Sequence, residues 1–290
     1  MKPLVNSYFS GAGLMDAGLQ RAGLEIQQSF EIDPVCCETL RANFTHEVVE
    51  GDVTRKTVAA DKPCDVMVAT YPCTKYSPIA DIHAARTGDD LFLHFFRHVA
   101  IRRPETYAVE NVPGMKKFPV VMEAMTKLPD YYVTVFCPVS AQMWLPQRRD
   151  RMIIIGSRRP FAWRAPKARR RVRLSEIIEA DPRVEIPSYV ASRIGGSYRD
   201  KPIVSDPSKD DVAPTCVAHY AKDLSTRLVV DPRFPNGVRP YSVREFARLQ
   251  GVHDSFWFAG TDRQAYRQIG NGVPWPIGYW LGKELRRYFR

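Results

Sequence analysis

A single cysteine, Cys73, follows an apolar run and a proline in the sequence Val66-Met67-Val68-Ala69-Thr70-Tyr71-Pro72-Cys73. The four apolar residues predict a buried strand, and Pro72 stiffens the turn after it because its ring fixes φ. Reactive groups gather at the carboxyl ends of strands in open α/β sheets, so Cys73 is a candidate nucleophile. A lone cysteine is more often a buried structural residue, and the nucleophile interpretation therefore depends on the other motifs of the chain.

A carboxylate and a group of arginines adjoin two further predicted strands. Glu110 follows the strand predicted over Thr106–Val109, where a carboxylate inside a pocket would serve ligand recognition or acid–base chemistry. Strand-end glutamates that are exposed and have no such role are also frequent. Three arginines within 147–151 precede the next strand, at the same edge as Cys73, and could reach a phosphate or the carbonyl of a bound base.

A glycine-rich turn follows the first predicted strand, Leu4–Phe9. Its sequence, Ser10-Gly11-Ala12-Gly13, lets a ligand approach the backbone closely, and Glu31, about 20 residues further on, is placed for ribose hydroxyls. The turn could belong to a dinucleotide site, but Asp16 occupies the position of the third glycine, which favours a nucleoside cofactor without a pyrophosphate. Asp52 follows a third predicted strand. Its carboxylate could accept a hydrogen bond from an adenine amino group or simply close a turn.

Strands and helices alternate up to about residue 156, which predicts an α/β fold with a doubly wound sheet. Residues 157–239 are rich in Pro, Arg and Asp and give no readable sheet, which predicts a second, smaller domain. Regular patterns return where Ser242 and Glu245 form a capping box. Gly270-Asn271-Gly272 then predicts a tight turn before an amphipathic C-terminal helix.

The net charge of +10 is concentrated in the later part of the chain. Residues 1–156 hold 17 basic and 18 acidic side chains, residues 157–239 hold 17 and 10, and residues 240–290 hold 8 and 4. A basic surface confined to one region indicates a polyanionic partner, although the run 167–173 could also be a solvated face.

Other sequence features exclude several classes of protein. No apolar run approaches the roughly 18–20 residues needed to cross a bilayer, and no signal-peptide pattern is present. The six cysteines form no C-x-x-C pair, so neither disulfides nor a metal site are expected. We expect a cytoplasmic protein with reduced thiols and no membrane partner.

Taken together and in order, the motifs resemble those of the C5-cytosine-specific DNA methyltransferase family. The resemblance is carried by Phe9-Ser10-Gly11-Ala12-Gly13, Glu31, Gly51-Asp52-Val53, Pro72-Cys73, Glu110-Asn111-Val112, Gln147–Arg151, Arg244–Gly251 and Gln268–Val273. These stretches span nearly the whole chain, and the family's variable insert coincides with the basic segment. The chain departs from the family pattern at Thr74, Lys75 and Tyr76, and at Gly272, where Ser or Ala is commoner.

The resemblance implies a Rossmann-like methyltransferase sheet formed by 1–160 and 265–290, with a target-recognition region and hinge over 161–264. It implies S-adenosylmethionine as cofactor and double-stranded DNA as substrate. The cofactor-binding residues that it implies are Phe9, Ser10, Gly11, Gly13, Glu31, Ile32, Asp52, Val53, Pro72, Leu91, Asn271 and Gly272. The resemblance also implies a monomer that is located with the nucleoid, and it leaves open whether a cognate restriction endonuclease accompanies the enzyme.

The resemblance also implies a covalent mechanism. Cytosine C5 is a poor nucleophile, and a Cys73 thiolate adding to C6 would turn C5 into an enamine carbon that accepts a methyl group. Glu110 would hold N3 and the exocyclic amine of the base, and Arg149 and Arg151 would supply the cationic surroundings that a thiolate needs. A base inside a duplex must first be flipped out, at a cost that phosphate contacts from the basic insert would offset.

Two alternatives stay open at this point. One is the same chemistry on a tRNA, and the other is a catalytically idle DNA-binding protein of the same fold, which the intact motifs disfavour. Within the insert, Lys167–Arg173 is expected to govern affinity and salt dependence, whereas site choice is expected to reside in Ser192–Arg227.

Replacing Cys73 with alanine removes the predicted nucleophile while leaving the cofactor-binding motifs intact. We expect Cys73→Ala to abolish methyl transfer and to retain cofactor affinity near the original level. A radiolabelled methyl-transfer assay and a cofactor titration measure the two effects, and turnover by the alanine variant would contradict the assignment.

Overall fold

The computed structural model describes residues 1–72, 91–168, 170–196, 198 and 200–290. The chain divides into two compact units. The first comprises residues 1–139, 150–166 and 275–290, and the second comprises residues 140–149 and 167–274. Among the described residues, no helix combines the length and the apolar character needed to cross a membrane.

The first unit is built on a seven-stranded sheet. Its strands are β1 Leu4–Tyr8, β2 Glu25–Glu31, β3 Glu47–Glu50, β4 Val66–Ala69, β5 Thr106–Asn111, β6 Tyr132–Ser140 and β7 Asp150–Ser157. The spatial order is β3-β2-β1-β4-β5-β7-β6. The first five strands run parallel and β7 runs antiparallel to β5. The α/β class predicted from the sequence is therefore confirmed.

The sequence predicts a helix after the capping residue Ser242 and an amphipathic C-terminal helix, and the described chain contains both among its helices. They are α1 Leu14–Arg21, α2 Pro34–Asn43, α3 Leu91–Arg102, α4 Pro119–Thr126, α5 Leu174–Ile177, α6 Ser188–Gly195, α7 Val243–Leu249, α8 Asp262–Asn271 and α9 Trp275–Tyr288. Short 3-10 turns lie at 58–60, 113–117, 141–143, 207–209, 220–222 and 235–237.

Local chemistry explains why α2 and β4 form where they do. The Asp33 side chain accepts a hydrogen bond from the amide of Val35 at 3.0 Å, and Pro34 occupies the first helical position, where its missing N–H is not needed. All four residues of β4 are buried, as expected for a central parallel strand that is covered on both faces.

Helices α1 and α9 approach each other so closely that glycine is required at the contact. A Cβ atom at Gly18 would lie 2.6 Å from the amide nitrogen of Tyr279 and 2.7 Å from the carbonyl oxygen of Trp275. A Cβ atom at Gly278 would lie 2.7 Å from the carbonyl oxygen of Met15. The backbones of the two helices therefore pack directly against each other.

The second unit contains a small sheet that the sequence pattern did not predict. Its strands are β8 Ile203–Ser205, β9 Arg227–Val230 and β10 Val238–Pro240, with β9 in the centre. Beside it, the ring of Tyr220 stacks on Phe246 with centroids 4.7 Å apart, and Tyr266 packs edge-on against both rings. This aromatic cluster gives the unit a core of its own.

A buried ion-pair cluster also stabilises the second unit. The guanidinium of Arg239 donates to both carboxylate oxygens of Glu245 at 2.7 Å and to Asp231 at 2.7 Å. Glu245 also accepts the amide of Ser242 at 3.0 Å, which completes the predicted capping box. Glu245 of the Arg244–Gly251 motif therefore has a structural role within this unit.

The predicted domain boundaries lie near those of the compact units but do not coincide with them. The units change at residues 166/167 and 274/275, and residues 140–149 group with the second unit. The catalytic and target-recognition roles assigned to the two parts stay predictions.

Replacing Gly18 with alanine tests the close packing of α1 on α9. The added methyl group would overlap the backbone of α9, so Gly18→Ala should lower the free energy of unfolding by about 1–3 kcal/mol, the usual cost of overpacking. Gly195→Ala is the matched control, because a Cβ at this helical glycine would come no closer than 3.9 Å to Asn236. Urea denaturation measures both variants, and an unchanged stability of Gly18→Ala would contradict the contact.

Candidate active site

The turn after β1 has a backbone conformation that side chains rarely adopt. Phe9, Gly11 and Gly13 have φ angles of 58°, 55° and 82°. The left-handed conformation costs about 1–2 kcal/mol for a residue such as Phe9, and surrounding contacts must offset this cost. One such contact is the hydroxyl of Thr70, which donates to the carbonyl of Phe9 at 2.8 Å. The predicted glycine turn is thus fixed by Thr70, the residue that follows the neighbouring strand β4.

The carboxylate of Glu31 organises the backbone around this turn. One oxygen accepts the amide of Gly11 at 2.7 Å, and the other accepts the amides of Ile32 and Asp33, each at 2.9 Å. The carbonyl of Glu31 accepts the amide of Gly51 at 2.8 Å. Glu31 therefore connects the glycine turn, the start of α2 and the end of β3, and its role toward a ribose stays a prediction.

A buried carboxylate lies where the third glycine of a dinucleotide motif would stand. Asp16 accepts hydrogen bonds from the hydroxyls of Ser7 at 2.6 Å and Ser29 at 2.8 Å, and Ser29 contacts the ring of His46 at 2.7 Å. Burial raises the pKa of Asp16, while His46 and the serine hydroxyls oppose this rise. The sequence indicated only a missing glycine, although Ser7 and Ser29 are opposite each other in the β1–β2 register.

Asp52 closes a turn directly after β3. Its carboxylate accepts the amide of Thr54 at 2.9 Å, and hydrogen bonding from Thr54 holds the pKa of Asp52 below its usual range. The next residue, Val53, is buried, and its carbonyl accepts a hydrogen bond from Arg97 at 3.1 Å. The turn role left open by the sequence is present, and an adenine contact stays a prediction.

Glu110 and Arg151 lie together in the first unit. The Nε of Arg151 is 2.6 Å from a carboxylate oxygen of Glu110, and the side chains are only 11% and 8% exposed. Glu110 lies near the end of β5 and Arg151 at the start of β7, its antiparallel neighbour. A largely buried, charge-assisted hydrogen bond of this kind holds both groups in fixed positions.

Asn111 connects the end of β5 to the end of β4. Its side-chain amide donates to the carbonyl of Tyr71 at 3.2 Å and accepts the amide of Val112 at 2.8 Å. Pro72 follows Tyr71 and is exposed. The predicted nucleophile, Cys73, lies outside the described residues, and the next described position, Leu91, begins α3.

Arg149 belongs to the second unit, where its guanidinium binds three backbone carbonyls. It donates to Cys216 at 2.7 Å, to Gly270 at 2.9 Å and to Gly272 at 2.8 Å, and the residue is 4% exposed. Gly270 and Asn271 are the last residues of α8, so the tight turn expected here is a helix end instead. Glycine is required at position 270 because a Cβ atom there would overlap the backbone of the 217–218 segment.

Two buried amides extend this network. Gln147 donates to the carbonyl of Leu249 at 2.7 Å and accepts the amide of Cys216 at 3.0 Å. Gln250 donates to the carbonyl of Ile269 at 2.7 Å. Three of the sequence motifs thus meet in the second unit, which their separation along the chain gave no means to predict.

The basic run of the insert contributes to the fold of the second unit as well as to its charge. Arg171 pairs with the carboxylate of Asp210 at 2.6 Å, and Arg170 lies 3.3 Å from Glu176. Arg169 lies outside the described residues. Arg171 therefore has a structural role in addition to any phosphate contact.

Replacing Arg149 with methionine tests its structural role. The change removes the donor of three carbonyls, and each buried acceptor left without a partner costs about 1–3 kcal/mol. We expect Arg149→Met to lower the free energy of unfolding by at least about 3 kcal/mol. The neighbouring Arg148 is exposed, so Arg148→Met should leave stability unchanged. Equal urea midpoints for the two variants would contradict this role.

Comparison with known proteins shows that the chain is similar to other proteins along nearly its whole length. The family model described as C-5 cytosine-specific DNA methylase matches residues 5–209 and 189–287. The chain is 27% identical over 329 residues to the Type II methyltransferase M.NgoFVII of Neisseria gonorrhoeae, covering 94% of this chain and 83% of that protein. It is 27% identical over 300 residues to the Type II methyltransferase M.NlaX of Neisseria lactamica, covering 96% and 94%.

Two solved structures have a similar fold. The methyltransferase EhMeth of Entamoeba histolytica superposes with a TM-score of 0.82 at 18% identity, covering 100% of this chain and 99% of that chain. The Dnmt2 methyltransferase of S. pombe superposes with a TM-score of 0.79 at 16% identity, covering 100% of both chains.

Proposed function

The chain belongs to the C-5 cytosine-specific DNA methylase family, and on that premise we propose that Glu110 and Arg151 hold the target cytosine while Cys73 attacks it. The enzyme is a DNA cytosine-5 methyltransferase, and its family membership implies chemistry that depends on S-adenosylmethionine. The assignment of individual residues rests on the geometry of the first unit together with the motif resemblance.

The observation that carries the proposal is the Glu110–Arg151 pair. Cytosine presents a carbonyl oxygen, a ring nitrogen and an amino group along one edge. A guanidinium donates to the carbonyl, and a carboxyl group can accept from the amine and share a proton with N3. The pair offers both kinds of group 2.6 Å apart and largely shielded from water, so that little reorganisation is needed when the base arrives.

The proposed reaction begins when the Cys73 thiolate forms a bond to C6. The displaced electron pair moves toward N3, where Glu110 holds the proton, and C5 becomes nucleophilic. The cofactor, when bound, supplies an electrophilic methyl group. After transfer, the C5 proton passes to solvent water, N3 returns its proton to Glu110, and cleavage of the C6–S bond expels the thiolate and restores the aromatic ring. Glu110 thus acts as a positioned acid and base on the substrate, and Arg151 keeps the carboxyl group of Glu110 in place.

The first unit also offers a fitting site for the cofactor. The glycine turn lies where the strand order reverses between β1 and β4, the place at which open α/β sheets bind ligands. Glu31 and Asp52 make this edge acidic, which suits a cationic sulfonium nucleoside and disfavours a pyrophosphate. The proposed set in this unit is Phe9, Ser10, Gly11, Gly13, Glu31, Ile32, Asp52, Val53, Pro72 and Leu91. Asn271 and Gly272 are included on the resemblance alone.

We further propose double-stranded DNA as the substrate and the insert as the source of target recognition. The net charge of +7 over residues 157–239 supports a phosphate-binding role for this region. A single-chain enzyme that acts in the cytoplasm on the nucleoid, with a cognate restriction endonuclease, fits the Type II relatives.

Bisulfite sequencing tests the proposed function directly. Plasmid DNA and total RNA are collected from a bacterial host that lacks cytosine-5 methylation of its own and expresses either the wild-type chain or Cys73→Ala. We expect one short DNA sequence context to be methylated with the wild type only. Methylation confined to RNA, or unmethylated DNA in the presence of folded wild-type enzyme, would overturn the proposal.

Replacing Glu110 with glutamine separates base recognition from cofactor binding. The amide keeps the shape of the side chain but cannot share a proton with N3, so kcat should fall by about 10²–10⁴-fold. The affinity for S-adenosylhomocysteine should stay within about twofold, since a twofold change is well under 1 kcal/mol. Single-turnover kinetics and calorimetric titration measure the two effects. A large loss of cofactor affinity with near-normal kcat would place Glu110 in the cofactor site and not beside the target base.

A further inference from the structure

Helix α3 holds the loop between β3 and β4, and we propose that Arg97 on this helix is a positioning residue for the adenine side of the cofactor. The inference deepens the cofactor site proposed above and rests on it. Arg97 would not touch the cofactor itself. It would act by fixing the backbone of Val53, the residue that follows Asp52.

The contacts of Arg97 are directed at the start of this loop. Its Nη2 donates to the carbonyl of Val53 at 3.1 Å and to the carbonyl of Lys56 at 2.9 Å. The partners lie 44 and 41 residues away in sequence. A guanidinium that bridges two carbonyls of one turn restricts that turn more strongly than a single hydrogen bond does.

A buried polar chain fixes the direction of the Arg97 side chain. Its Nη2 also lies 3.3 Å from Nε2 of His98, and Nδ1 of His98 lies 2.5 Å from Asp61. The imidazole of His98 therefore lies between the guanidinium of Arg97 and the carboxylate of Asp61. Asp61 also accepts the hydroxyl of Tyr8 at 2.8 Å, and Nζ of Lys56 lies 3.7 Å from its other oxygen.

Val53 transmits this restraint to the proposed ligand site. Its side chain packs in the core of the first unit with Tyr8 and Phe30. Its backbone continues directly from Asp52, whose carboxylate closes the turn at the carboxyl end of β3. The loop begins at Gly51, which donates to the carbonyl of Glu31. Release of the Val53 carbonyl would therefore let the segment that carries Asp52 shift relative to Glu31.

Arg102 provides an internal comparison on the same helix. It donates to the carbonyls of Val58 at 3.1 Å and Ala59 at 3.0 Å, at the far end of the same loop. The two arginines thus make the same kind of contact to one loop, but only the contacts of Arg97 adjoin Asp52. A general loss of loop stability and a specific loss of adenine positioning can therefore be separated.

The test compares Arg97→Met, Arg97→Lys and Arg102→Met in the full chain. Calorimetry gives the Kd of S-adenosylhomocysteine and of adenosine, and urea denaturation gives the stability. We expect Arg97→Met to weaken both ligands by about tenfold, or 1.4 kcal/mol, because the affected contacts are on the nucleoside. Arg97→Lys, which replaces the planar fork with a single ammonium, should lie between Arg97→Met and the wild type. Arg102→Met should lose stability but keep both Kd values within twofold.

Steady-state kinetics gives a second readout. The KM for the cofactor should rise in Arg97→Met while kcat at saturating cofactor changes little, as expected for a residue that affects binding and not the transition state. Wild-type Kd values in both Arg97 variants would overturn the inference, and so would equal losses of affinity in Arg97→Met and Arg102→Met. If Arg97→Met does not fold, Arg97→Lys decides by the same criterion. Failure of the wild type to bind S-adenosylhomocysteine would instead overturn the proposed cofactor site, and the inference with it.

Discussion

The hydrogen bonds to the carboxylate of Glu31 hold together the edge of the first unit at which the cofactor site is proposed. Three backbone amides from two separate segments converge on its two oxygens, and its own carbonyl receives a fourth amide, from Gly51. Amides at the carboxyl ends of parallel strands have no partner within the sheet, and burying them without one is costly. One side chain therefore sets the mutual position of the glycine turn, the first turn of α2 and the end of β3.

The Gln147–Arg151 motif distributes its side chains between the two compact units. Gln147 and Arg149 bind backbone carbonyls and amides of the second unit, whereas Arg151 pairs with Glu110 in the first. Five consecutive residues thus provide structural contacts in one unit and a candidate substrate contact in the other. A motif that looks uniform as a row of arginines contains side chains with different physical roles, which burial and partners distinguish and residue type does not.

The sequence predicted what depends on local pattern and missed what depends on partners distant in the chain. The strands Leu4–Tyr8 and Val66–Ala69 and the helix that begins after Ser242 could be predicted because apolar runs and capping residues are local signals. The strands of the second unit are three or four residues long, too short to produce a readable period. Asp16 and Arg97 were missed as structural centres because a hydrogen bond across 13 or 44 residues leaves no spacing signature.

The contact between α1 and α9 joins a helix that is synthesised early to one that is synthesised last, so it can form only near the end of translation. Helix α1 leaves the ribosome early. Its surface around Gly18 is covered only after residues 275–288, which form α9, have been translated. Until then, the glycine face of α1 stays bare, and the first unit lacks a full layer of its packing. A chain that terminates prematurely before α9 therefore leaves the first unit partly assembled and open to cellular proteases.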